Sequence, residues 1–280
     1  MSDPLVSAAW LAERLGRADI QVVDASWWMP SEGRSGHAEY LQAHIPGAIY
    51  FDIDAVADHT VDLPHMLPTP DAFALEAGRL GLRRDATLVT YDTFGVRAAA
   101  RVWWTFRVMG FDRVFVLDGG LRAWRNEDGP DEAGEVTLPP TALTPVFRSA
   151  LVRDLRQVTA TVENASAQIV DARGGSRFRG ETPEPRVGLR SGHMPGALNV
   201  PFDGLLEPDG RMKPVTALAA MFKAAGVNLD RPIVTSCGSG VTASVVALAL
   251  ARLGREDVAV YDGSWTEWGG REDTPVVTGG

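Results

Sequence analysis

The sequence predicts an α/β protein of two tandem domains, each a mainly parallel sheet flanked by helices. Three observations lead there. The first is an internal repeat. Val22-Val23-Asp24-Ala25 returns as Ile169-Val170-Asp171-Ala172, 147 residues later. His44-Ile45-Pro46-Gly47-Ala48 returns as His193-Met194-Pro195-Gly196-Ala197 at an offset of 149. Leu117-Asp118-Gly119-Gly120 matches Tyr261-Asp262-Gly263-Ser264, and Trp124 matches Trp268, both at 144. A period this long marks a duplicated domain, not a solenoid. The second is the alternation of short apolar runs with helical runs of about 10 to 13 residues, which reads as parallel strands joined by crossover helices. The third is length: 280 residues exceed a comfortable single core and suit two domains of ordinary size.

The elements follow in the same order in each repeat. In the first, a strand over 20–24 precedes a loop and the His-x-Pro-Gly-Ala turn. A helix over 70–80, a strand over 86–91, a helix over 97–109 and a strand over 114–117 come next. In the second, the strand over 168–171 and the turn lead to a helix over 215–225 and a strand over 232–236. A helix over 242–253 and a strand over 258–261 complete it. Between the repeats, Asp128-Gly129-Pro130, Pro139-Pro140 and Pro145 read as an extended linker. The expected division is therefore 1–130, a linker over 131–149, and 150–280. A parallel sheet places its ligand site at the carboxyl ends of its strands.

At one such end stands Cys237, the single cysteine, opening Cys237-Gly238-Ser239-Gly240-Val241-Thr242. A thiol at a strand-to-helix turn, followed by two glycines, is a recognisable arrangement. The glycines let the backbone curl so that successive N–H groups face the sulfur. The helix N-terminus adds partial positive charge at the same point. Both favour the thiolate, which is the nucleophilic form. Aligning Gly95-Val96 with Gly240-Val241, an offset of 145, sets Asp92 opposite Cys237. The first repeat thus lacks a nucleophile. Asp92 is expected to cap its own loop, and the first domain to close over the second.

Composition excludes several classes. The chain carries 27 Lys and Arg against 36 Asp and Glu, a net charge of −9, which disfavours nucleic acid and anionic membranes as partners. One cysteine rules out an internal disulfide framework and any cysteine-based metal site, and no cofactor is expected. Met1-Ser2-Asp3-Pro4 has neither a basic nor an apolar leader region, so a cytoplasmic protein is expected. The longest apolar run, 241–253, is too short to span a bilayer. A cysteine phosphatase would need arginine six residues after the nucleophile, where Ala243 stands. An anionic substrate needs a local cluster of arginines in so acidic a protein. Arg177-Phe178-Arg179-Gly180, Glu184-Pro185-Arg186 and Arg190 supply one. His44 and His193 recur in both repeats and read as structural. Trp27-Trp28 and Trp103-Trp104 read as core or interface aromatics.

With these motifs assembled, the chain resembles the two-domain rhodanese-type sulfurtransferases, along nearly its whole length. The resemblance rests on the repeat, the Cys237 loop, the two arginine motifs and Pro64-His65-Met66-Leu67-Pro68. Within the family, thiosulfate-preferring members carry basic residues where Gly238 and Ser239 stand, and the mercaptopyruvate-using branch has this uncharged pair. The resemblance implies two tandem rhodanese-like domains, of which only the second is catalytic. It implies that Cys237 accepts sulfur as a persulfide, within a loop completed by Gly238, Gly240, Val241 and Thr242. It further implies that Arg177 and Arg186 hold the carboxylate and carbonyl oxygens of the donor, and that Asp54, His65 and Ser239 form a proton relay. Sulfur would pass from 3-mercaptopyruvate to an external acceptor, a low-molecular-weight thiol, thioredoxin or cyanide, with release of pyruvate. Without a second cysteine the chain cannot resolve its own persulfide. Thiosulfate:cyanide sulfur transfer and a non-enzymatic rhodanese-like binding module stand as alternatives. A monomer is expected, because the duplicated halves can bury their faces against each other.

Overall fold

Ten short strands among residues 3–279, which the computed structural model describes, form two five-stranded sheets of identical topology. Met1 and Ser2, on which the reading of the first residues partly rests, and Gly280 lie outside the described residues. The first sheet contains β1 (Leu5–Val6), β2 (Ile20–Asp24), β3 (Ile49–Tyr50), β4 (Thr87–Tyr91) and β5 (Val114–Leu117) in the order β1-β5-β4-β2-β3. The second contains β6 (Val152–Arg153), β7 (Gln168–Asp171), β8 (Leu198–Asn199), β9 (Ile233–Ser236) and β10 (Ala259–Tyr261) in the order β6-β10-β9-β7-β8. Every pairing is parallel. The chain winds outward from β7 to β8, then returns to the other side of β7 for β9 and β10. The crevice beyond the carboxyl ends of β7 and β9 is therefore the topological switch point, the usual ligand position in such a sheet.

The helices of the first half are α1 (Ala8–Ala12), α2 (Gly36–Gln42), α3 (Pro70–Arg79), α4 (Ala98–Val108) and α5 (Gly120–Asn126). Those of the second are α6 (Leu155–Asn164), α7 (Gly175–Phe178), α8 (Val215–Ala224), α9 (Val241–Arg252) and α10 (Ser264–Gly270). Two of them explain how the halves join. Helix α9 is apolar on every side and buried from Ala243 to Ala251; α4 is buried from Ala98 to Phe106. A helix apolar all round has no face for water, so it must be covered on all sides. These two pack on each other, and one apolar cluster runs through both halves, with Trp103 and Trp104 inside it. The far faces of the sheets carry separate clusters around Trp124 and around Trp265 and Trp268.

The boundaries of the elements read from sequence match to within a residue or so, while α6, as long as α3, is absent from that reading. The strands β1, β3, β6 and β8 are absent from that reading, because two residues hold no period to recognise. The segment after α5 is extended, yet it is docked along its length. Val136 N–H donates to Tyr40 Oη (3.1 Å), and Thr141 N–H to the Gly78 carbonyl (2.8 Å). Gly78 admits this approach, since a Cβ there would lie 2.4 Å from the Thr141 oxygen. The repeated histidines are structural in both halves. Each is buried and donates from Nδ1 to a backbone carbonyl, His44 to Tyr40 (2.7 Å) and His193 to Phe178 (2.8 Å). No helix among the described residues is long and apolar enough to cross a membrane.

Candidate active site

Cys237 follows β9 directly, and its side chain is buried at the foot of a cleft of about 150 Å³. The second half lines this cleft with Arg177, Arg186 and the 238–242 loop. The first half contributes Trp27, Met29 and Arg97. Gly240 turns the chain into α9 with φ +80°, where a Cβ would meet Arg101 Nη1 at 2.7 Å and the Asp262 carbonyl at 2.9 Å. Only glycine fits there without strain.

Three of the loop carbonyls are held by groups outside the loop. The Cys237 carbonyl accepts from Trp265 N–H (2.9 Å), and that of Gly238 from Thr266 N–H (2.8 Å) and Oγ1 (2.7 Å). The Gly240 carbonyl accepts from Ser244 Oγ (3.0 Å) and Arg101 Nη1 (3.5 Å). In a trans peptide the next N–H points opposite to the carbonyl. The amides of Gly238, Ser239 and Val241 are thereby turned toward the concave side of the loop. Among the described residues none accepts from the amides of Gly238, Ser239 or Gly240. With the unpaired first amides of α9, they make a cradle for negative charge on sulfur.

The two arginines named from sequence differ in their surroundings. Arg177, on α7, donates from Nε to Glu184 Oε1 (3.2 Å) and pairs through Nη2 with Glu184 Oε2. Glu184 is buried and also accepts from Arg173 Nη1 (2.8 Å). Arg173 is saturated by Asp171, Glu184 and the Gly192 carbonyl, and its guanidinium lies 4.1 Å from the Trp265 ring centroid. Arg186 is half-buried and makes no hydrogen bond or ion pair with any described residue. Burial pushes it below the usual arginine value. Cys237, Asp54 and Glu184 oppose that push, while Arg177 adds repulsion. A cation beside the thiol and without a carboxylate of its own is what an anionic donor would complete.

Asp54 and His65 are brought together. His65 Nδ1 lies 2.5 Å from Asp54 Oδ1, a close contact without the alignment of a hydrogen bond. Trp27 Nε1 donates to Asp54 Oδ2 (2.7 Å), and its ring meets the His65 ring edge-on at 4.8 Å. Trp27 packs against the core that joins the halves, as an interface aromatic, and is also part of the site. His65 is buried with φ +60°, an uncommon conformation for a residue with a Cβ. Ser239 makes no hydrogen bond to His65. It lines the Cys237 cleft, whereas His65 and Asp54 line a neighbouring one, with Arg186 on the wall of both. Among the described residues no group of three or more His, Cys, Asp or Glu is placed to hold a metal ion.

Sequence reasoning missed the residues that hold this site in place. Buried Arg101, on α4, reaches the His65 carbonyl, the Gly240 carbonyl and Asp262 Oδ1 (2.7 Å), and so ties the His65 loop to the Cys237 loop. Its signal was a charge within the apolar run from Ala98 to Phe106. Glu184 stood within a quoted motif without a role. Asp262 stood in the repeated motif matched to Asp118 without a role, and Thr266 left no local mark.

Comparison with known proteins agrees with this geometry. The rhodanese-like domain family matches the chain twice, over residues 7–127 and 154–271. The 3-mercaptopyruvate sulfurtransferase of Escherichia coli K12 is 46% identical over 272 residues, covering 97% of this chain and 96% of that protein. The thiosulfate sulfurtransferase of Bos taurus is 42% identical over 271 residues, covering 94% and 91%. The crystal structure of SseA, a 3-mercaptopyruvate sulfotransferase from Escherichia coli, superposes with a TM-score of 0.87 at 44% identity, covering 94% of this chain and 99% of that one. The chain belongs to the rhodanese family, as a tandem two-domain sulfurtransferase.

Proposed function

We propose that this protein transfers the sulfur of 3-mercaptopyruvate, through a persulfide on Cys237, to an external thiol or to cyanide. The observation that carries the proposal is the unpaired Arg186 guanidinium beside a buried thiol in an amide-lined loop. In this reading Arg186 and Arg177 hold the carboxylate and carbonyl of the donor. The Cys237 thiolate attacks the donor sulfur, an S–S bond forms, and the C–S bond breaks with its electrons moving to carbon. The departing fragment is the enolate of pyruvate, which needs a positive field and a proton at C3. The arginines provide the field. Asp54, His65 and Ser239 are the proposed proton source, which requires Ser239 and His65 to meet through the donor or a bridging water. The amides of Gly238, Ser239, Gly240, Val241 and Thr242 stabilise the persulfide until the acceptor attacks its outer sulfur.

The same reading divides the chain at 1–130, 131–149 and 150–280, with only the last part catalytic. It makes the protein a cytoplasmic monomer that takes its acceptor from solution, whether a small thiol, thioredoxin or cyanide. Thiosulfate is the second donor considered, because a thiosulfate sulfurtransferase is nearly as similar in sequence. The test is persulfide formation. Wild-type protein treated with 3-mercaptopyruvate should gain a single sulfur of about 32 Da on the Cys237 peptide, removable by a thiol. Cys237→Ser should gain none and turn over nothing. Turnover surviving in that variant would defeat the covalent route.

A further inference from the structure

The catalytic cleft contains a cation from the wrong half of the molecule. Arg97 stands at the start of α4, in the loop of the first half that has Asp92 where the second has Cys237. Its guanidinium lies 4.8 Å from the Trp28 ring centroid and 4.4 Å from that of Phe94. Nη2 donates to the Trp27 carbonyl (3.0 Å), and the nearest carboxylate, Glu32, is 3.7 Å away. Nε is buried and has no hydrogen-bond partner among the described residues. The side chain is only 11% exposed, and it forms part of the wall around Cys237. Flanking aromatic rings hold a guanidinium in one place before any ligand arrives, so little ordering remains to be done on binding.

Mercaptopyruvate has one carboxylate, and Arg177 with Arg186 suffices for it. Arg97, whose ion-pair contact with Glu32 is a long 3.7 Å, is then a further cation in the wall of the same cleft, contributed by the other half. The Cys237 loop itself has no side-chain cation, so any dianionic donor must find its positive charge elsewhere. We propose that Arg97, supplied by the half that lacks the nucleophile, is a specificity-determining residue that binds the sulfonate oxygens of thiosulfate and lets the uncharged loop use this dianion as a second donor. The proposal rests on the sulfurtransferase reading above. In the step concerned, the Cys237 thiolate attacks the outer sulfur of thiosulfate and a new S–S bond forms. The bond between the two thiosulfate sulfurs breaks, and sulfite leaves with the bonding pair. The dianion enters and a dianion departs, so no proton, oxidant or reductant is needed. The sulfonate oxygens carry negative charge before and after the step, while the charge of the transferred sulfur stays with the persulfide.

The experiment compares wild type with Arg97→Gln, Arg97→Met and Arg97→Lys on both donors, with cyanide as acceptor and the persulfide followed by intact mass. The readout is the ratio of kcat/KM for thiosulfate to that for mercaptopyruvate. Removing one charge-assisted contact to the dianion should lower this ratio at least about tenfold in the glutamine variant, with lysine within about threefold of wild type. The methionine variant keeps the packing between Trp28 and Phe94 without the charge. It gives the same answer if the glutamine variant does not fold. A ratio unchanged in the uncharged variants overturns the proposal, as does a wild-type protein that uses mercaptopyruvate but not thiosulfate. A wild-type protein that forms no persulfide from either donor overturns the proposal together with the sulfurtransferase reading.

Discussion

Asp92 and Cys237 occupy the same position in the two halves, and the Asp92 carboxylate fills the kind of cradle that surrounds the sulfur in the other. It accepts from the amides of Gly95 (2.7 Å), Arg97 (2.9 Å) and Ala99 (2.8 Å). The first half thus carries its own anion where the second leaves room for a charged sulfur. The duplicated loop selects for negative charge whichever residue provides it. Asp92 is buried, so its removal leaves three amides without partners. Asp92→Ala should therefore lower unfolding free energy by about 2 to 5 kcal/mol, read from urea denaturation. A loss within the scatter of an ordinary surface substitution would mean that water satisfies this loop unaided.

The two substrate arginines should separate in their effects. Arg186 has no hydrogen-bond or ion-pair partner among the described residues, so Arg186→Ala should cost activity and leave stability close to wild type. Losing charge-assisted bonds of about 1.5 to 3 kcal/mol lowers kcat/KM for mercaptopyruvate by roughly one to two orders of magnitude. Arg177→Ala removes a cation from buried Glu184, which Arg173 then compensates alone. It should cost a similar factor in activity and also about 1 to 3 kcal/mol in unfolding free energy. Equal stabilities for the two variants would contradict the pairing of Arg177 with Glu184.

The Asp54 carboxyl carries a pH signature. Burial raises it, but the contact with His65, the Trp27 hydrogen bond and the Arg186 charge together hold it below the usual carboxylate range. A carboxyl lowered in the folded state contributes stability that is complete above its unfolded value. That contribution is lost as pH falls through the folded one. Wild-type stability should thus fall more steeply than that of Asp54→Asn below about pH 4. Urea midpoints across this range decide it; parallel curves at low pH would remove the pairing.

What was legible in the sequence, and what was not, follows from how each feature is encoded. Strands β2, β4, β5, β7, β9 and β10 are apolar runs bounded by turn residues, and α4 and α9 are long apolar helices, so composition alone marks them. Cys237 was legible because one thiol, two glycines and a helix start are contiguous. Arg101 and Asp262 lie 161 residues apart and meet only through the packing of α4 on α9. No local pattern records a partner at that distance. Trp27 looked like any core aromatic until Asp54 was found on its indole nitrogen. The Asp54–His65 contact was named from a resemblance, and spacing alone would not have produced it.

The last prediction concerns why the residue after the nucleophile is glycine. A Cβ on Gly238 would lie 3.3 Å from Arg177 Nη2, and that same nitrogen is paired with Glu184. Gly238→Ala must therefore move Arg177 by a few tenths of an ångström, or rotate it off Glu184. KM for mercaptopyruvate should rise severalfold while kcat changes little, because the loop amides and Ser239 stay in place. Replacing the pair as Gly238→Arg with Ser239→Lys goes further. The new guanidinium meets Arg177 as a like charge and displaces it, and the Ser239 hydroxyl is lost. Mercaptopyruvate suffers on both counts, since it needs the carboxylate clamp and a proton at carbon. Thiosulfate releases sulfite without carbon protonation, and two added cations favour its approach to the thiolate. The ratio of kcat/KM for thiosulfate to mercaptopyruvate should rise at least about tenfold, or about 1.4 kcal/mol of differential transition-state binding. Both rates falling together would mean that the loop had been distorted, and a folded variant with an unchanged ratio would show that these two positions do not set donor choice.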